Sequence, residues 1–434
     1  MPEVKKATRG ERKRYMADPS THSETIAVIG AGIIGVATAI NLQRSGKQVV
    51  LIDRTAPGEG ASFGNAGVLA TSSIIPVTVP GLLKKVPKML SDPLGPVYLR
   101  WSYLPRLFPW LTKYLRHCSE DRVRYIAKHM SVLVADSFDE HQRLAGGTPA
   151  SDRIKLMPYT FVFANRRVFE ADTLGWQLRE QHDIGWEVLE GGAVHEEEPD
   201  LAPRYGCLVK MTHQHGTIDH PGDYIKELAA AFVAAGGRIE TAVVTGFRRD
   251  GATVTGVSTE TGDIAADTVV VAAGAWSARL LKDLGIHVPL ETERGYHIEL
   301  KKPSIGPRGA LMIADGKFVA TPMGDDVRLA GLVEFGGLDA GPSAAPVNTL
   351  LKRAEIVFPG IEYEDHTEWL GHRPAVSDSL PVIGPVDGHP GLVLAFGHHH
   401  VGLTSGPRTG RLVADMITGK HVNMDMTPYS VDRF

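Results

Sequence analysis

The stretch from residue 25 to residue 53 constrains the fold of this 434-residue chain more than any other part of the sequence. A β-branched run, Thr25–Ile29, leads into a glycine-rich turn, and a helical pattern then continues to Gly46. A second apolar run, residues 49–52, ends on Asp53. Strand, G-x-G-x-x-G turn, helix, strand and acid in this order predict the βαβ unit of a dinucleotide-binding fold.

The turn at residues 30–35 contains three glycines with separate functions. Gly30 permits the tight turn, Gly32 lets the backbone approach a pyrophosphate, and Gly35 lets the helix pack closely on the strand. Free N–H groups at the start of the helix bind the phosphates. Asp53 lies where an acid accepts hydrogen bonds from the ribose, and its carboxylate repels a 2′-phosphate, which argues against NADP. We expect the cofactor to contact Asp53, Arg54 and the whole turn, Gly30, Ala31, Gly32, Ile33, Ile34 and Gly35.

The fingerprint alone does not separate NAD from FAD. Two further segments of small residues indicate where an extended cofactor lies. Residues 57–67, PGEGASFGNAG, form a glycine-rich loop that can lie flat against a cofactor; an ordinary flexible loop is the alternative. Residues 269–272 form a fully apolar strand, as in the centre of a parallel sheet, followed by small residues. The candidate cofactor contacts from these parts of the chain are Ala61, Ser62, Asn65, Ala66, Gly67, Val244, Ala273 and Gly274.

The sequence GHHHVGLTSGP at residues 397–407 raises a choice between a metal site and a helix start that faces a ligand. A predicted buried strand, Leu392–Phe396, precedes it, and apolar residues recur at helical spacing afterwards until Gly419. Because Pro407 suits a first helical turn, we predict a helix that starts near Ser405. Its partial positive N-terminus would face the N1–C2=O edge of a flavin and stabilise the anionic reduced ring. The expected contacts are Gly402, Leu403 and Thr404.

Three consecutive histidines, His398, His399 and His400, do not predict a metal site. Consecutive residues after a strand project alternate side chains to opposite sides, so the three rings cannot all ligate one ion. Neither a cysteine nor a carboxylate nearby completes a ligand set. The histidines of the segment THQHGTIDH are a weaker candidate, for which a solvated turn before a helix is the default interpretation: His213, His215 and His220.

Charge and cysteine content exclude several classes of function. The formal net charge is −4, whereas nucleic-acid binding needs clustered positive charge, so we expect no nucleic-acid partner. Cys118 and Cys207 are the only two cysteines, which excludes a disulfide framework. Residues 1–23 are basic and polar, without the apolar core of a secretory signal. We predict a disordered tail there, with an organelle transit peptide as the less favoured alternative, and a cytoplasmic protein.

Residues 80–117 raise the question of contact with a membrane. Prolines break this segment into short helices, and Trp101, Trp110 and Tyr114 lie among arginines and lysines. Such a composition suits a peripheral position at the inner face of a membrane. Packing of a substrate-domain helix against the interior is the alternative that we favour. Since no apolar run reaches about 18 residues, we expect no membrane-spanning helix.

Several motifs together resemble the D-amino-acid oxidase superfamily of flavoproteins, in its branch of D-amino-acid dehydrogenase-like and glyphosate-oxidoreductase-like enzymes. The resemblance is carried by GAGIIG with Asp53, GEGASFGNAG, VVVAAGAWS, TERGYHI, GKFVATPM, RPAVSDSLPVIG and GHHHVGLTSGP. It implies an α/β fold in which a Rossmann-like FAD-binding domain is interleaved with an α+β substrate domain that contains a mainly antiparallel sheet. The implied divisions are residues 24–75, 206–290 and 366–434 for the FAD-binding domain, and residues 76–205 and 291–365 for the substrate domain.

The resemblance also implies noncovalent FAD, because no cysteine lies in the C-terminal part where some relatives attach the flavin covalently. One departure is visible near the end of the chain. The family pattern there resembles Gly-His-Gly, and His399 replaces the second glycine. We expect this change to direct an imidazole toward the flavin cleft.

The implied reaction removes a hydride from the amine-bearing carbon of a D-amino acid or a related secondary amine and delivers it to flavin N5. The imine is then hydrolysed to a keto acid. An anchor for the substrate carboxylate must hold this geometry, and the planar fork of Arg373 suits that role. The resemblance places Tyr296 and His297 on a substrate-facing turn, and His398 and His400 on the substrate side of the flavin. Core packing or a surface salt bridge is the alternative for these residues.

Three hypotheses follow. The first is an FAD-dependent dehydrogenase or oxidase of a D-amino acid, with an N-substituted glycine of the glyphosate or sarcosine type as the alternative substrate. The second is an NAD(H)-linked oxidoreductase or an NAD(P)H-linked flavin hydroxylase on the same fingerprint. The third is a non-catalytic protein that keeps a nucleotide for stability. In the first case the substrate is a small amino acid or amine, and oxygen and a quinone both stay open as electron acceptors.

Overall fold

The computed structural model describes residues 24–212 and 214–434. Its strands are, in chain order, β1 (Thr25–Ile29), β2 (Gln48–Asp53), β3 (Val68–Leu69), β4 (Val97–Leu99), β5 (Ile154–Leu156), β6 (Tyr159–Phe163), β7 (Trp186–Glu190), β8 (Cys207–Met211), β9 (Gly216–Ile218), β10 (Arg238–Thr241), β11 (Val244–Asp250), β12 (Thr253–Thr259), β13 (Gly262–Ala265), β14 (Thr268–Val271), β15 (Leu290–Lys301), β16 (Ala310–Ile313), β17 (Phe318–Met323), β18 (Asp326–Phe335), β19 (Asp365–Val376), β20 (Val382–Pro385) and β21 (Leu392–Phe396). Its α-helices are α1 (Ile33–Arg44), α2 (Leu82–Ser91), α3 (Leu104–Leu115), α4 (Glu120–Val134), α5 (Ser137–Ala145), α6 (Arg166–Glu170), α7 (Thr173–Gln181), α8 (Gly192–Glu197), α9 (Pro221–Ala234), α10 (Ser277–Leu281), α11 (Ala344–Val357) and α12 (Gly402–Ile417). The predicted N-terminal tail and the candidate ligand His213 lie outside the described residues.

A six-stranded sheet in the order β10-β2-β1-β14-β21-β20 carries the glycine-rich turn. Its strands run parallel except β20, which is antiparallel to β21. Strand β1 is buried on both faces: Ile26 and Val28 belong to the core formed with α1, α9 and α12, whereas Ala27 and Ile29 belong to the core formed with β12. Burial on both faces explains why the strand is apolar without alternation. The predicted strands at residues 25–29 and 392–396 have these same bounds.

A nine-stranded, mainly antiparallel sheet runs in the order β19-β15-β18-β17-β16-β6-β8-β7, with β4 added beside β18. Strands β15 and β19 pair over their whole length, from Leu290 opposite Val376 to Lys301 opposite Asp365. Helix α11 packs against this sheet through a core that includes Leu350. The predicted fold class, a nucleotide-type parallel sheet combined with a mainly antiparallel sheet, is confirmed.

The two sheets are interleaved along the chain. The six-stranded sheet takes its strands from residues 25–53, 238–271 and 382–396, and the nine-stranded sheet uses segments between them. Two strands in segments that the sequence assigned to the FAD-binding domain, β8 and β19, pair in the nine-stranded sheet instead. We propose a division of domains by sheet, which moves β8 and β19 to the substrate domain.

The proline-rich segment forms short helices, as predicted, but its aromatic residues divide between interior and surface. Trp110 and Tyr114 of α3 are buried and stack on each other at 4.5 Å. Trp101, by contrast, is 69% exposed. Two of the three aromatic residues therefore follow the favoured interpretation of internal packing. None of the helices within the described residues is both long and apolar enough to cross a membrane.

The last long helix, α12, begins at Gly402 and not near Ser405, so the predicted start is wrong. Pro407 lies inside the helix rather than in its first turn. A proline lacks the N–H that would bond the carbonyl four residues earlier, here that of Leu403. His141 of α5 supplies a donor in its place, with Nε2 2.9 Å from the Leu403 oxygen. This distant partner lets the helix begin one turn earlier than the proline indicated.

Candidate active site

A cavity of about 1010 Å³ is lined by residues of both large sheets and by the loops that join them. The carboxyl ends of β1, β2, β14 and β21 open onto it. This is the edge at which α/β sheets bind ligands. The predicted cofactor residues that line it are Gly30, Gly32, Ile33, Ile34, Asp53, Arg54, Ala61, Ser62, Asn65, Ala66, Val244, Ala273, Gly274, Gly402, Leu403 and Thr404.

Three predicted cofactor residues lie behind this wall: Ala31, Gly35 and Gly67. Ala31 donates its N–H to Asp53 Oδ2 at 2.7 Å. A Cβ at Gly35 would stand 1.7 Å from the Gly30 oxygen, so this glycine serves the close packing of α1 on β1. Gly67 has φ +78, and a Cβ there would meet the Ile218 oxygen at 2.5 Å.

The glycine turn leaves a backbone-lined recess at the start of α1. Gly30 has φ +107, and a Cβ at this position would lie 2.4 Å from the Ala272 oxygen. Helix α1 follows Gly32 without a side-chain cap, and the N–H of its first residue, Ile33, donates to Ser62 Oγ at 3.2 Å. A helix start of this kind binds phosphate through its N–H groups. The recess fits the pyrophosphate of a dinucleotide.

The end of β2 supplies groups for the adenosine part of such a cofactor. Asp53 lines the cavity, and its Oδ1 accepts a hydrogen bond from the Thr55 N–H at 3.1 Å. The Arg54 guanidinium carbon lies 3.8 Å from the centre of the Trp276 ring. Both of these side chains line the cavity, so together they form a flat, cationic surface beside the carboxylate of Asp53.

The start of α12 is tied to the loop that follows the glycine-rich segment. The Thr404 hydroxyl accepts from the Ala70 N–H at 3.3 Å and donates to the Val68 oxygen at 3.3 Å. Ser137 Oγ donates to the Thr404 oxygen at 2.6 Å. These bonds hold the positive end of α12 on the cavity wall.

The three consecutive histidines point to different partners. His398 Nε2 lies 3.1 Å from Thr409 Oγ1, and its Nδ1 is buried without a partner among the described residues. His399 has φ +47, and its Nε2 lies 2.9 Å from the Val376 oxygen, so the ring is held by β19. His400 lies on the cavity wall, where its surface is accessible although protein atoms surround it. Burial within the surrounding protein lowers the pKa of His398 and of His400 to about 3, so both rings are neutral at pH 7.

Arg373 of β19 reaches across the glycine of the neighbouring strand. A Cβ at Gly295 would lie 2.3 Å from the Arg373 guanidinium carbon, so only glycine leaves room for this side chain. Arg373 donates to the Leu332 oxygen at 2.9 Å and to the Gly331 oxygen at 3.2 Å. Burial lowers the pKa of Arg373. It lines the cavity and forms no ion pair among the described residues, although Glu293, its register partner on β15, opposes the lowering of its pKa.

Tyr296 and His297 cannot both face a substrate, because neighbouring residues of a strand point to opposite faces. The Tyr296 hydroxyl donates to Glu334 Oε2 at 2.6 Å and accepts from the Ser343 N–H at 2.9 Å. Tyr296 lines the cavity, but its hydroxyl is already engaged by protein groups. His297 does not line the cavity. Its Nδ1 lies 3.1 Å from the Gly64 oxygen, its ring stacks on Trp369 at 5.3 Å, and burial lowers its pKa to about 3.

Sequence reasoning missed an aromatic part of the cavity wall. Tyr159, Phe161 and Phe163 of β6 line it together with Trp176 and Arg179 of α7. One signal was available, since an arginine three residues after a tryptophan shares a helix face with it. Nothing in the spacing indicated that this face would meet the same cavity as Arg373.

Comparison with known proteins identifies the family. The family model described as DAO, FAD dependent oxidoreductase, matches residues 25–416. The chain belongs to this family. It is 41% identical over 416 residues to a protein named D-amino-acid oxidase from Bradyrhizobium diazoefficiens, covering 94% of this chain and 98% of the relative. It is 30% identical over 418 residues to a D-amino acid dehydrogenase from Rhizobium rhizogenes, covering 94% and 99%.

Solved structures support the fold of this FAD-dependent oxidoreductase. Glycine oxidase from Geobacillus kaustophilus has a TM-score of 0.71 at 22% identity, covering 95% of this chain and 99% of that one. Iminodiacetate oxidase from Chelativorans sp. has a TM-score of 0.68 at 20% identity, covering 93% and 98%. The predicted family and the predicted dependence on FAD are confirmed. The backbone recess at Gly30 and the wall at α12 fit this cofactor.

Proposed function

We propose that this protein oxidises a D-amino acid or a related secondary amine at the carbon that bears nitrogen, giving an imine that water hydrolyses to a keto acid. The observation that carries the proposal is Arg373, a guanidinium without an ion-pair partner among the described residues on the wall of the cavity. The charge of Glu293 on β15 offsets only part of the cost of burying this cation, and the carboxylate common to amino acids offsets a further part. The 41% identity to a named D-amino-acid oxidase supports the substrate class.

The residues predicted to bind FAD divide between its two ends. Gly30, Gly32 and the start of α1 would hold the pyrophosphate, and Asp53 and Arg54 the adenosine. Gly402, Leu403 and Thr404 would lie beside the ring system. Bound FAD supplies the two-electron acceptor for the oxidation. Neither cysteine of the chain lines the cavity, which supports noncovalent binding.

The substrate side of the cavity is built to fix orientation rather than to transfer protons. Arg373 is held by two backbone oxygens, so its planar group is ready to receive a carboxylate before the substrate arrives. The rings of His398 and His400 are neutral at pH 7 and add no positive charge beside the substrate amine. The hydride leaves the carbon that bears a neutral amine, so neutral histidine rings beside the amine favour the reactive state of the substrate.

Anaerobic reduction of the bound flavin tests the proposal. Purified protein is mixed without oxygen with D-amino acids, their L-enantiomers and N-alkyl glycines, and bleaching is followed. We expect D-amino acids to reduce the flavin and Arg373→Ala to weaken substrate binding about 10- to 100-fold, the range for a charged hydrogen bond, with flavin content retained. Unchanged affinity in that variant would remove Arg373 from its role. Reduction by N-alkyl glycines alone would favour the alternative substrate class, and consumption of NADPH would favour a hydroxylase.

We also propose that the protein contacts an anionic bilayer on the cytoplasmic side, where a membrane quinone could serve as electron acceptor in place of oxygen. Pro105 and Phe108 lie three residues apart on α3 and share one face, and Trp101 lies in the 3₁₀ turn that leads into this helix. Trp101 is 69% and Phe108 60% exposed. Residues 101–117 contain lysine and arginine but no acidic residue. An apolar face with basic neighbours suits the surface of anionic lipid.

Sedimentation with lipid vesicles tests this contact. We expect binding to vesicles that contain phosphatidylglycerol and loss of binding in the double variant Trp101→Ala/Phe108→Ala. Leu156→Ala is the matched control, because Leu156 is 70% exposed and lies on β5. Equal loss in the control, or no binding by the wild type, would refute the contact. Reoxidation of the reduced flavin by oxygen faster than by a water-soluble quinone would identify oxygen as the acceptor instead.

A further inference from the structure

Another arginine lies in the wall of the cavity, on a different element from the carboxylate anchor proposed above. Arg179 of α7 is 7% exposed and lines the cavity beside the aromatic side chains of β6. Its guanidinium carbon is 4.5 Å from the centre of the Trp176 ring and 5.1 Å from that of Phe161. The two rings offer their faces to the cation but carry no net charge.

The protein partners of Arg179 are all uncharged. Its Nε donates to the Ser72 oxygen at 3.1 Å, and its Nη1 donates to the Gly175 oxygen at 3.2 Å. Nη2 has no hydrogen-bond partner among the described residues. The nearby carboxylate of Asp172 caps α7 by accepting from the Gly175 N–H at 3.3 Å and forms no ion pair with Arg179. Burial lowers the pKa of Arg179 to about 10, and the charge of Asp172 opposes this shift only in part.

Buried arginines behind the cavity wall are neutralised within the protein, unlike Arg179. Arg328 forms an ion pair with Glu299 at 2.7 Å, and Arg294 lies 3.3 Å from Glu334. Neither of these arginines lines the cavity. The contrast matters because an unpaired buried charge is costly, so proteins pair it or reserve it for a ligand. Arg179 shares with Arg373 both features that point to a ligand, a place on the cavity wall and the lack of a carboxylate partner among described residues.

We propose that Arg179 binds an anionic group at the end of the substrate side chain, and that the protein therefore prefers amino acids with a second carboxylate. The inference rests on the proposed function, in which Arg373 holds the first carboxylate. The guanidinium fork receives the second carboxylate through the free Nη2, while Phe161, Trp176 and Tyr159 pack against the intervening methylene groups. The aromatic walls exclude water, which strengthens the charged hydrogen bond.

Paired substrates that differ only in charge test this assignment. In the anaerobic assay with the FAD-loaded protein, we expect D-glutamate to exceed D-glutamine in kcat/KM for flavin reduction. Arg179→Met, which keeps the length and the apolar contacts, should lower the value for D-glutamate about 10- to 100-fold and that for D-glutamine less than about 3-fold. Arg179→Lys should recover part of the difference. Arg166→Met is the matched control, since Arg166 pairs with Glu170 on the surface.

A binding measurement separates this inference from the proposed function. Glutarate and butyrate share the same number of apolar carbons, but only glutarate carries a second carboxylate. Neither is oxidised, so the binding of each is measured from the shift in flavin absorbance. We expect glutarate to bind more tightly than butyrate and this preference to disappear in Arg179→Met with flavin content unchanged. Equal affinities in the wild type, or equal losses for both ligands in the variant, would overturn the role of Arg179. Failure of every D-amino acid to reduce the flavin, with the glutarate preference intact, would refute only the proposed reaction.

Discussion

His141 provides a direct test of how helix α12 is held against the cavity. It is completely buried, with Nε2 2.9 Å from the Leu403 oxygen and Nδ1 2.7 Å from the Tyr224 hydroxyl. A carbonyl oxygen only accepts, so Nε2 must carry the proton and Nδ1 must accept from Tyr224. The Leu403 oxygen is the one that Pro407 leaves without its helical donor. Removing the imidazole therefore leaves two buried groups without partners.

We expect His141→Phe to lower the free energy of unfolding by about 2 to 6 kcal/mol, because each buried group left unsatisfied costs about 1 to 3 kcal/mol. His141→Gln is the matched variant, since its amide can still donate to the Leu403 oxygen; it should recover about half of the loss. Urea unfolding of the FAD-loaded protein, followed by far-UV circular dichroism at fixed FAD concentration, measures both. The Kd for FAD should rise in the same order, because Leu403 lies on the cavity wall.

The dependence of stability on pH gives a second measure of the same residue. Burial lowers the pKa of His141 from 6.5 to about 4. Between these two values the unfolded chain binds a proton that the folded protein does not, so stability falls as the pH drops through this window. His141→Phe lacks this group and should show a shallower fall than the wild type. Equal stability of His141→Phe and the wild type, or equal slopes of the free energy of unfolding against pH, would refute this role of His141.

Substitutions at three further positions, with one control position, probe packing and charge around the site. Gly410→Ala would place a methyl group 2.5 Å from the backbone of α1, so we expect the free energy of unfolding to fall by about 1 to 3 kcal/mol. Gly192→Ala is the control: it adds a methyl group at a helix position with open space and should change the free energy of unfolding by less than about 0.5 kcal/mol. His399→Gly should change the free energy of unfolding by less than about 1 kcal/mol, because relief of the positive φ offsets the lost hydrogen bond to the Val376 oxygen. His399→Ala loses the same bond without that relief, so it should be less stable than His399→Gly in the same urea assay. Glu140→Gln should lower stability at pH 7, because three arginines outweigh the effect of burial and hold the pKa of Glu140 below its usual value. This loss of stability should shrink as the pH falls through 4.5 and below. Thermal scans at several pH values would show the change.

Local sequence signals predicted the elements that depend on local chemistry. The strands at residues 25–29 and 392–396 are apolar runs bounded by polar residues and glycine, and burial on both faces requires nothing more. The glycine turn was equally visible, because a positive φ at Gly30 and the close contact at Gly35 depend on residues within the same βαβ unit. Most predicted cofactor residues consequently lie on the cavity wall.

Long-range partners account for what the sequence could not show. The start of α12 was placed too late because the donor that compensates for Pro407 comes from His141, on a different helix. Tyr296 was proposed as a substrate contact, but its hydroxyl is engaged by Glu334, a residue whose register depends on a bulge between β15 and β18. Arg179 was missed because no local pattern tells whether a helix face meets solvent or a ligand.

The placement of β1 between β2 and β14, with β21 beyond, bears on when the cofactor can be acquired. One wall of the cavity needs the turn at Gly30 and also the Thr404 hydroxyl, which bonds to Val68 and Ala70. A growing polypeptide still lacking residues 392–417 has neither β21 nor α12, and we expect such truncated chains not to retain FAD. We therefore expect the chain to acquire its flavin only after the C-terminal strand and helix have been synthesised.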